Sequence, residues 1–201
     1  MQDLPEPLKL LADSLAKLPG LGPKSALRVA LILLKWPEAR TRQLGQAILD
    51  LRTTVCLCER CGALADEPLC PICADPARHE EMLCLVAEWD SLLALEDGGF
   101  FKGRYLILGG LLAPLDGVDP SGLEIDRLRR RLAEGRVTEI VMGLGTTLEA
   151  ENTASYVKNL VNREFPTVKL SRLAQGMPLG MDVKFVDKET LKQSLAYRQE
   201  L

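Results

Sequence analysis

The sequence has no apolar run long enough to cross a bilayer. Its longest nearly apolar stretch, Tyr105 to Leu115, falls well short of the roughly 20 residues that a spanning helix needs. The start, Met1-Gln2-Asp3-Leu4-Pro5-Glu6-Pro7, lacks the basic region followed by an apolar one that marks a secretory leader. A membrane role is therefore not expected, and the cytoplasm is the expected location. Nor is there a surplus of basic charge. The formal net charge of −3 excludes a protein that coats nucleic acid by overall charge, so any such contact must be local. Charge is unevenly spread, however. Residues 1–52 hold eight Lys or Arg against five acids, about +3, which leaves about −6 for the remainder and places the phosphate-facing surface in this first segment.

What is present starts with cysteine. Cys58-Glu59-Arg60-Cys61, eight intervening residues and Cys70-Pro71-Ile72-Cys73 form two Cys-x-x-Cys knuckles, close enough to set four thiolates at the corners of a tetrahedron. The expected ligands of one structural zinc ion are Cys58, Cys61, Cys70 and Cys73. Gly62 relieves crowding where the chain curls so that amides can point at sulfur, and Pro71 stiffens the second knuckle. Two disulfides are the alternative, but nothing else in the chain suggests export. Cys56, two residues before Cys58, could compete as a ligand, and Cys84 lies in an apolar run and reads as a small core residue.

Before the cysteines, Leu8, Leu11, Leu15 and Leu18 recur at helical spacing and predict a helix over 7–18. Pro19-Gly20-Leu21-Gly22-Pro23 then stops it, in a turn whose two glycines can take conformations closed to other residues. A second helix follows, with Ala26, Val29, Ala30, Leu33 and Leu34 on its apolar face. This is the pattern of the helix-hairpin-helix module, which the stretch resembles. Such a hairpin presents backbone amides and a helix amino terminus to a phosphate, so Gly20, Gly22, Lys24 and Arg28 are the candidate DNA-binding residues. The grip would be independent of base sequence. A third helix over 38–53 carries Leu44, Ala47, Ile48 and Leu51 on one side.

After the cysteines, strands and helices alternate. Strands are expected at 82–87, 104–108, 139–142 and 168–170, and helices at 91–96, 126–133 and 149–165. This predicts an α/β unit with a mostly parallel sheet between helices on both faces, its functional residues where strands end in loops. A strand-like 183–186 and a tail helix from Lys188 close the chain, as an appendage that docks on a neighbouring subunit.

Glu88 together with Gly145-Thr146-Thr147-Leu148-Glu149-Ala150-Glu151 resembles the Toprim domain of topoisomerases, primases and some nucleases. In that family a glutamate and an Asp-x-Asp-x-Glu cluster gather magnesium for phosphoryl transfer. Here the two aspartate positions read Gly145 and Thr147, and Glu88, Glu149 and Glu151 remain as a residual acidic site whose magnesium binding stays open. No tyrosine stands in the context of a nucleophile, so catalysis is expected to be lost or reduced. Dipole-favoured carboxylates at a helix start are the plain alternative for Glu149 and Glu151.

Helix-hairpin-helix, four-cysteine site, Toprim domain and carboxy-terminal tail, in this order, resemble the RecR family of bacterial recombination mediators over essentially the whole chain. The resemblance rests on Leu18 to Ala26, the cysteine quartet, Pro114-Leu115-Asp116-Gly117, Thr147 to Glu151 and Gly176-Met177-Pro178-Leu179-Gly180. It divides the chain into a helix-hairpin-helix module (1–54), a four-cysteine zinc finger (55–78), a Toprim domain (79–175) and an oligomerisation tail (176–201). It implies a DNA-binding, non-enzymatic mediator that acts with RecO and RecF to load RecA on gapped single-stranded DNA, as a dimer or tetrameric ring. Two departures stand out. An acidic partner of Glu88 that the family supplies is displaced to Asp90, and Met181 replaces a second glycine after Gly180. A metal-dependent Toprim nuclease or primase-like enzyme is the alternative, and a zinc-ribbon interaction module without DNA contact is a third reading.

Overall fold

The computed structural model describes residues 4–113 and 117–198. Residues 114–116 of the Pro114 to Gly117 motif lie outside it. The chain divides into two compact units, residues 1–55 and 56–201.

The first unit is helical: α1 (Glu6–Leu15), α2 (Pro23–Leu34) and α3 (Glu38–Thr54). Its buried residues are Ala12 on α1 and Ala26 and Ala30 on α2. Small side chains on facing surfaces let two helices approach closely, so the α1–α2 hairpin packs through alanines while its leucines sit at the margins. Helix α1 stops three residues short of the expected end. Leu18 falls in the turn and is 52% exposed. The apolar side of α3 forms as the periodicity predicts, yet no residue of this helix is buried.

The second unit opens with β1 (Cys56–Leu57) and β2 (Leu64–Ala65), a short antiparallel pair, followed by the single turn α4 (Pro71–Ala74). Strands β3 (Met82–Val86), β4 (Arg104–Ile107), β5 (Glu139–Gly143) and β6 (Lys169–Arg172) then build one sheet in the order β4-β3-β5-β6, parallel throughout. Helices α5 (Trp89–Asp97), α6 (Ile125–Ala133) and α7 (Leu148–Glu164) connect them, and α8 (Lys188–Ala196) ends the chain.

The alternation of side chains along each strand sorts the core into two layers. Leu83, Leu85, Leu106, Leu108 and Ile140 face α6 and α7, meeting Leu128, Leu132, Val157 and Val161. Cys84, Val86, Tyr105 and Ile107 face the other way, against Leu92 of α5 and the four cysteines of residues 58–73, the cysteine loop. The sheet is thus covered on both faces, as the apolar strands require, but one cover is partly the cysteine loop rather than helices alone. Cys84 is a core residue, as expected. Where a strand was expected at 183–186, the chain forms a 3-10 turn at Val183–Phe185, with Asp182 accepting from the Lys184 amide. That stretch alternates Val183, Lys184, Phe185 and Val186 but has no neighbouring strand to pair with, and an isolated strand cannot satisfy its backbone.

Helix α7 starts cleanly because the Thr147 hydroxyl accepts from the Ala150 amide. Inside it, the fully buried Thr153 donates to the Glu149 carbonyl at 2.6 Å and accepts from the Leu112 amide at 2.8 Å. Thr153 thereby anchors the chain after β4. Thr153→Val keeps the shape but strands the Leu112 N–H, and should cost about 1–3 kcal/mol in urea denaturation, whereas Thr153→Ser should cost much less.

At the β5–β6 pair, the Ser171 hydroxyl donates to Glu139 at 2.5 Å and Lys169 lies 3.5 Å away. Ser171 first, and then Lys169, hold the Glu139 carboxyl below its usual range. A carboxyl depressed in the folded state stabilises above its unfolded pKa of about 4.3 and loses that contribution as pH falls through the folded value. The gap in denaturation midpoint between wild type and Glu139→Gln should therefore be present at pH 6 and close below about pH 4.

Candidate metal centre and nucleic-acid interface

The four expected ligands meet. Sγ atoms of Cys58, Cys61, Cys70 and Cys73 all lie within 4.8 Å of one another and all four residues are buried; Cys61 and Cys70 sulfurs are 3.5 Å apart. A tetrahedron of Zn–S bonds near 2.3 Å places sulfurs about 3.8 Å apart, so the group fits a zinc ion. The sequence builds it locally. Gly62 turns the chain back at φ +76°, its amide bonds the Cys58 carbonyl, and the Ala63 amide points at Cys61 Sγ at 3.4 Å. Cys70 then caps α4, with Pro71 in its first position.

The four sulfurs are crowded together in a buried site. The hydrogen bond between their sulfurs drives Cys61 well above its ordinary value, aided by Cys73 and burial, while Cys70, accepting first from Cys61 and then from Cys73, is drawn down to about 2. A divalent ion would hold all four as thiolates. Cys56 stays outside the group. It is exposed, and its thiol donates to the Glu67 carbonyl at 3.2 Å.

Sequence reasoning missed the residues that hold the loop. Arg127 of α6 donates to the carbonyls of Cys58 (3.1 Å) and Glu59 (2.5 Å). Arg104 of β4 donates to Cys73 O at 3.2 Å, Trp89 Nε1 to Gly62 O at 2.9 Å, and the Ile107 amide to Cys61 O at 2.9 Å. Arg60, between the ligands of the first knuckle, pairs with Glu80 and Glu134. Only Arg60 carried a local signal, its place inside the motif.

In the helical unit, the turn between α1 and α2 places Gly20 at φ +79°, open to glycine at little cost. Gly22 does not use that freedom. It is the N-cap of α2 with φ −71° and ψ 163°, a region any residue adopts, and a Cβ there would meet nothing within 4 Å. Pro23 then fills the first helical position, where no N–H is needed. Lys24 and Arg28 are both exposed and one turn apart at the start of α2.

The three acids are placed around the carboxyl ends of neighbouring strands. Glu88 caps α5 just beyond β3, and Glu149 and Glu151 lie in the first turn of α7 beyond β5. Glu149 is held below the usual carboxylate range by its own backbone amide and by the Thr147 hydroxyl. Glu151 pairs with Arg172 at the end of β6, and Asp90 bonds the Ser91 amide at 2.7 Å. Among the described residues, the cysteine quartet is the group gathered at metal-ligand spacing, and the three glutamates do not form one. Nor is any helix among the described residues long and apolar enough to cross a membrane.

A helix-hairpin-helix unit, a four-cysteine zinc finger and a parallel sheet of Toprim type define the class of protein. Comparison with known proteins agrees piece by piece. Family models match for the RecR helix-hairpin-helix (residues 8–52), the RecR four-cysteine zinc finger domain (55–75), the Toprim domain (81–174) and the RecR C-terminal region (176–199). The chain is 64% identical to recombination protein RecR of Nitratidesulfovibrio vulgaris and 56% identical to that of Maridesulfovibrio salexigens, each over 100% of both chains. Identity to RecR of Thermosynechococcus vestitus is 40%, over 97% of this chain and 95% of that one. The chain belongs to the RecR family of recombination proteins.

Freshly purified protein should contain one zinc ion per chain. Structural zinc contributes roughly 10–16 kcal/mol apparent in small peptides, so Cys61→Ser should abolish zinc in metal analysis and lower the melting temperature sharply, whereas Cys56→Ser should keep the ion.

Proposed function

We propose that this chain is a DNA-binding recombination mediator that grips phosphates without reading sequence and performs no chemistry on the DNA. The observation that carries the reading is the start of α2. A glycine turn, a helix amino terminus free of acidic residues and two exposed cations, Lys24 and Arg28, converge there. Free helix-terminal amides and the helix dipole favour an anion, and the two cations add charge one helical turn apart.

One such patch on a chain of net charge −3 binds weakly, so the mediator acts as a homo-oligomer that engages DNA through several patches at once. Two unpartnered apolar segments support this. Helix α3 exposes Ile48, Leu49 and Leu51 at 61–70%, and the tail exposes Phe185, Leu195 and Tyr197 at 67–73%. Apolar surface left in water on this scale marks an interaction site. As in the family it belongs to, the proposed partners are RecO and RecF, and the proposed task is to load RecA on gapped single-stranded DNA in the cytoplasm. The separated acids support the absence of catalysis. Gly145 and Thr147 offer no carboxylate, and Glu151 is engaged with Arg172, so Glu88 and Glu149 alone would hold magnesium weakly.

A salt titration of DNA binding tests the interface. Lys24→Glu and Arg28→Glu should each weaken binding to all sequences alike and flatten the log–log salt slope by about one unit per lost phosphate contact. Slopes and affinities identical to wild type would move the DNA contact elsewhere.

A further inference from the structure

The cysteine loop lies beside an unusual concentration of charge. Among the described residues, Arg60, Arg104, Arg127, Arg131 and Arg136 pair with three carboxylates: Glu80 pairs with Arg60, Arg104 and Arg136, Glu134 with Arg60 and Arg131, and Glu124 with Arg127. Arg127 and Glu124 balance one another, so the excess of positive charge is carried by Arg60, Arg104, Arg131 and Arg136, which share Glu80 and Glu134. Two of these guanidinium groups are also short of acceptors. Arg104 and Arg131 are each only 5% exposed, and Arg104 Nε and Arg131 Nη2 are buried with no hydrogen-bond partner. Burying a cation is costly without a compensating negative field.

A loaded metal centre would supply such a field. One zinc ion with four thiolates carries two net negative charges, equal and opposite to the excess of the cluster. The cluster also touches the centre's own backbone. Arg127 holds the carbonyl of Cys58, the first ligand, and Arg104 that of Cys73, the last. Arg60 stands between Cys58 and Cys61 and pairs across to Glu80 and Glu134.

We propose that Arg127 and Arg104 are positioning residues of the metal centre, fixing the backbone of its first and last ligands, with Arg104 also belonging to the group of guanidinium cations whose positive charge suits a four-thiolate zinc site. Zinc release and detachment of the loop from the sheet then become one event, and the metal is held more tightly than in a free-standing loop. Outer partners of this kind typically contribute 10- to 100-fold in metal affinity.

The test uses the zinc-loaded full-length chain and follows metal release to a chromophoric chelator. Arg127→Met should release zinc at least tenfold faster than wild type, and Arg127→Lys, which keeps the charge and one donor, should lie between them. Arg129→Met is the control, because Arg129 sits on the same helix but pairs with Asp126 and Glu164. With cobalt in place of zinc, the visible d–d bands should shift in Arg127→Met and not in Arg129→Met. Arg127 is half-buried rather than buried, so it carries the test even where Arg104→Met fails to fold. Equal release rates for Arg127→Met and Arg129→Met, or release from Arg127→Lys as fast as from Arg127→Met, would overturn the assignment.

Discussion

The second unit depends on the seating of the cysteine loop against β4. That strand is the edge of the sheet, and an open edge offers unpaired amides to any passing strand. Here the Ile107 amide donates to the Cys61 carbonyl, so the loop closes the edge while its buried cysteines complete the layer on Tyr105 and Ile107. Metal site and sheet therefore share one hydrophobic cluster. The loop is too short to bury a core of its own, and the sheet would expose an apolar face without it. Each supplies what the other lacks, and the metal fixes the loop in the shape that fits.

The helical unit solves a different problem. Its α1–α2 hairpin is held by three alanines, which allows close packing but leaves little apolar area to stabilise it alone. Much of its leucine and isoleucine surface remains exposed on α2 and α3.

Legibility in the sequence followed the range of the interaction. The cysteine quartet, the glycine hairpin and the alternating strands are local patterns, and the structure has them where their spacing puts them. The apolar strands announced a sheet buried on both faces, but not that the cysteine loop would cover part of one. Arg104, Arg127 and Trp89 reach carbonyls 27 to 69 residues away, so no window of sequence could reveal them. Residues 183–186 misled because alternation signals a strand only where a neighbour exists to pair with. Glycine composition marks a turn without saying which glycine needs the positive φ; Gly20 uses it and Gly22 does not. The acids were legible as residues but not as a site, since Arg172, the partner of Glu151, lies at the end of a later strand.

Amide hydrogen exchange with and without zinc tests most directly whether loop and sheet are one structural element. On chelation, protection of the Ile107 amide should collapse together with that of the cysteine loop, while Ile140 in the centrally placed β5 should keep most of its protection. Unchanged exchange at Ile107 after complete zinc removal would contradict the account, because the edge of the sheet would then be closed by something other than the metal-held loop.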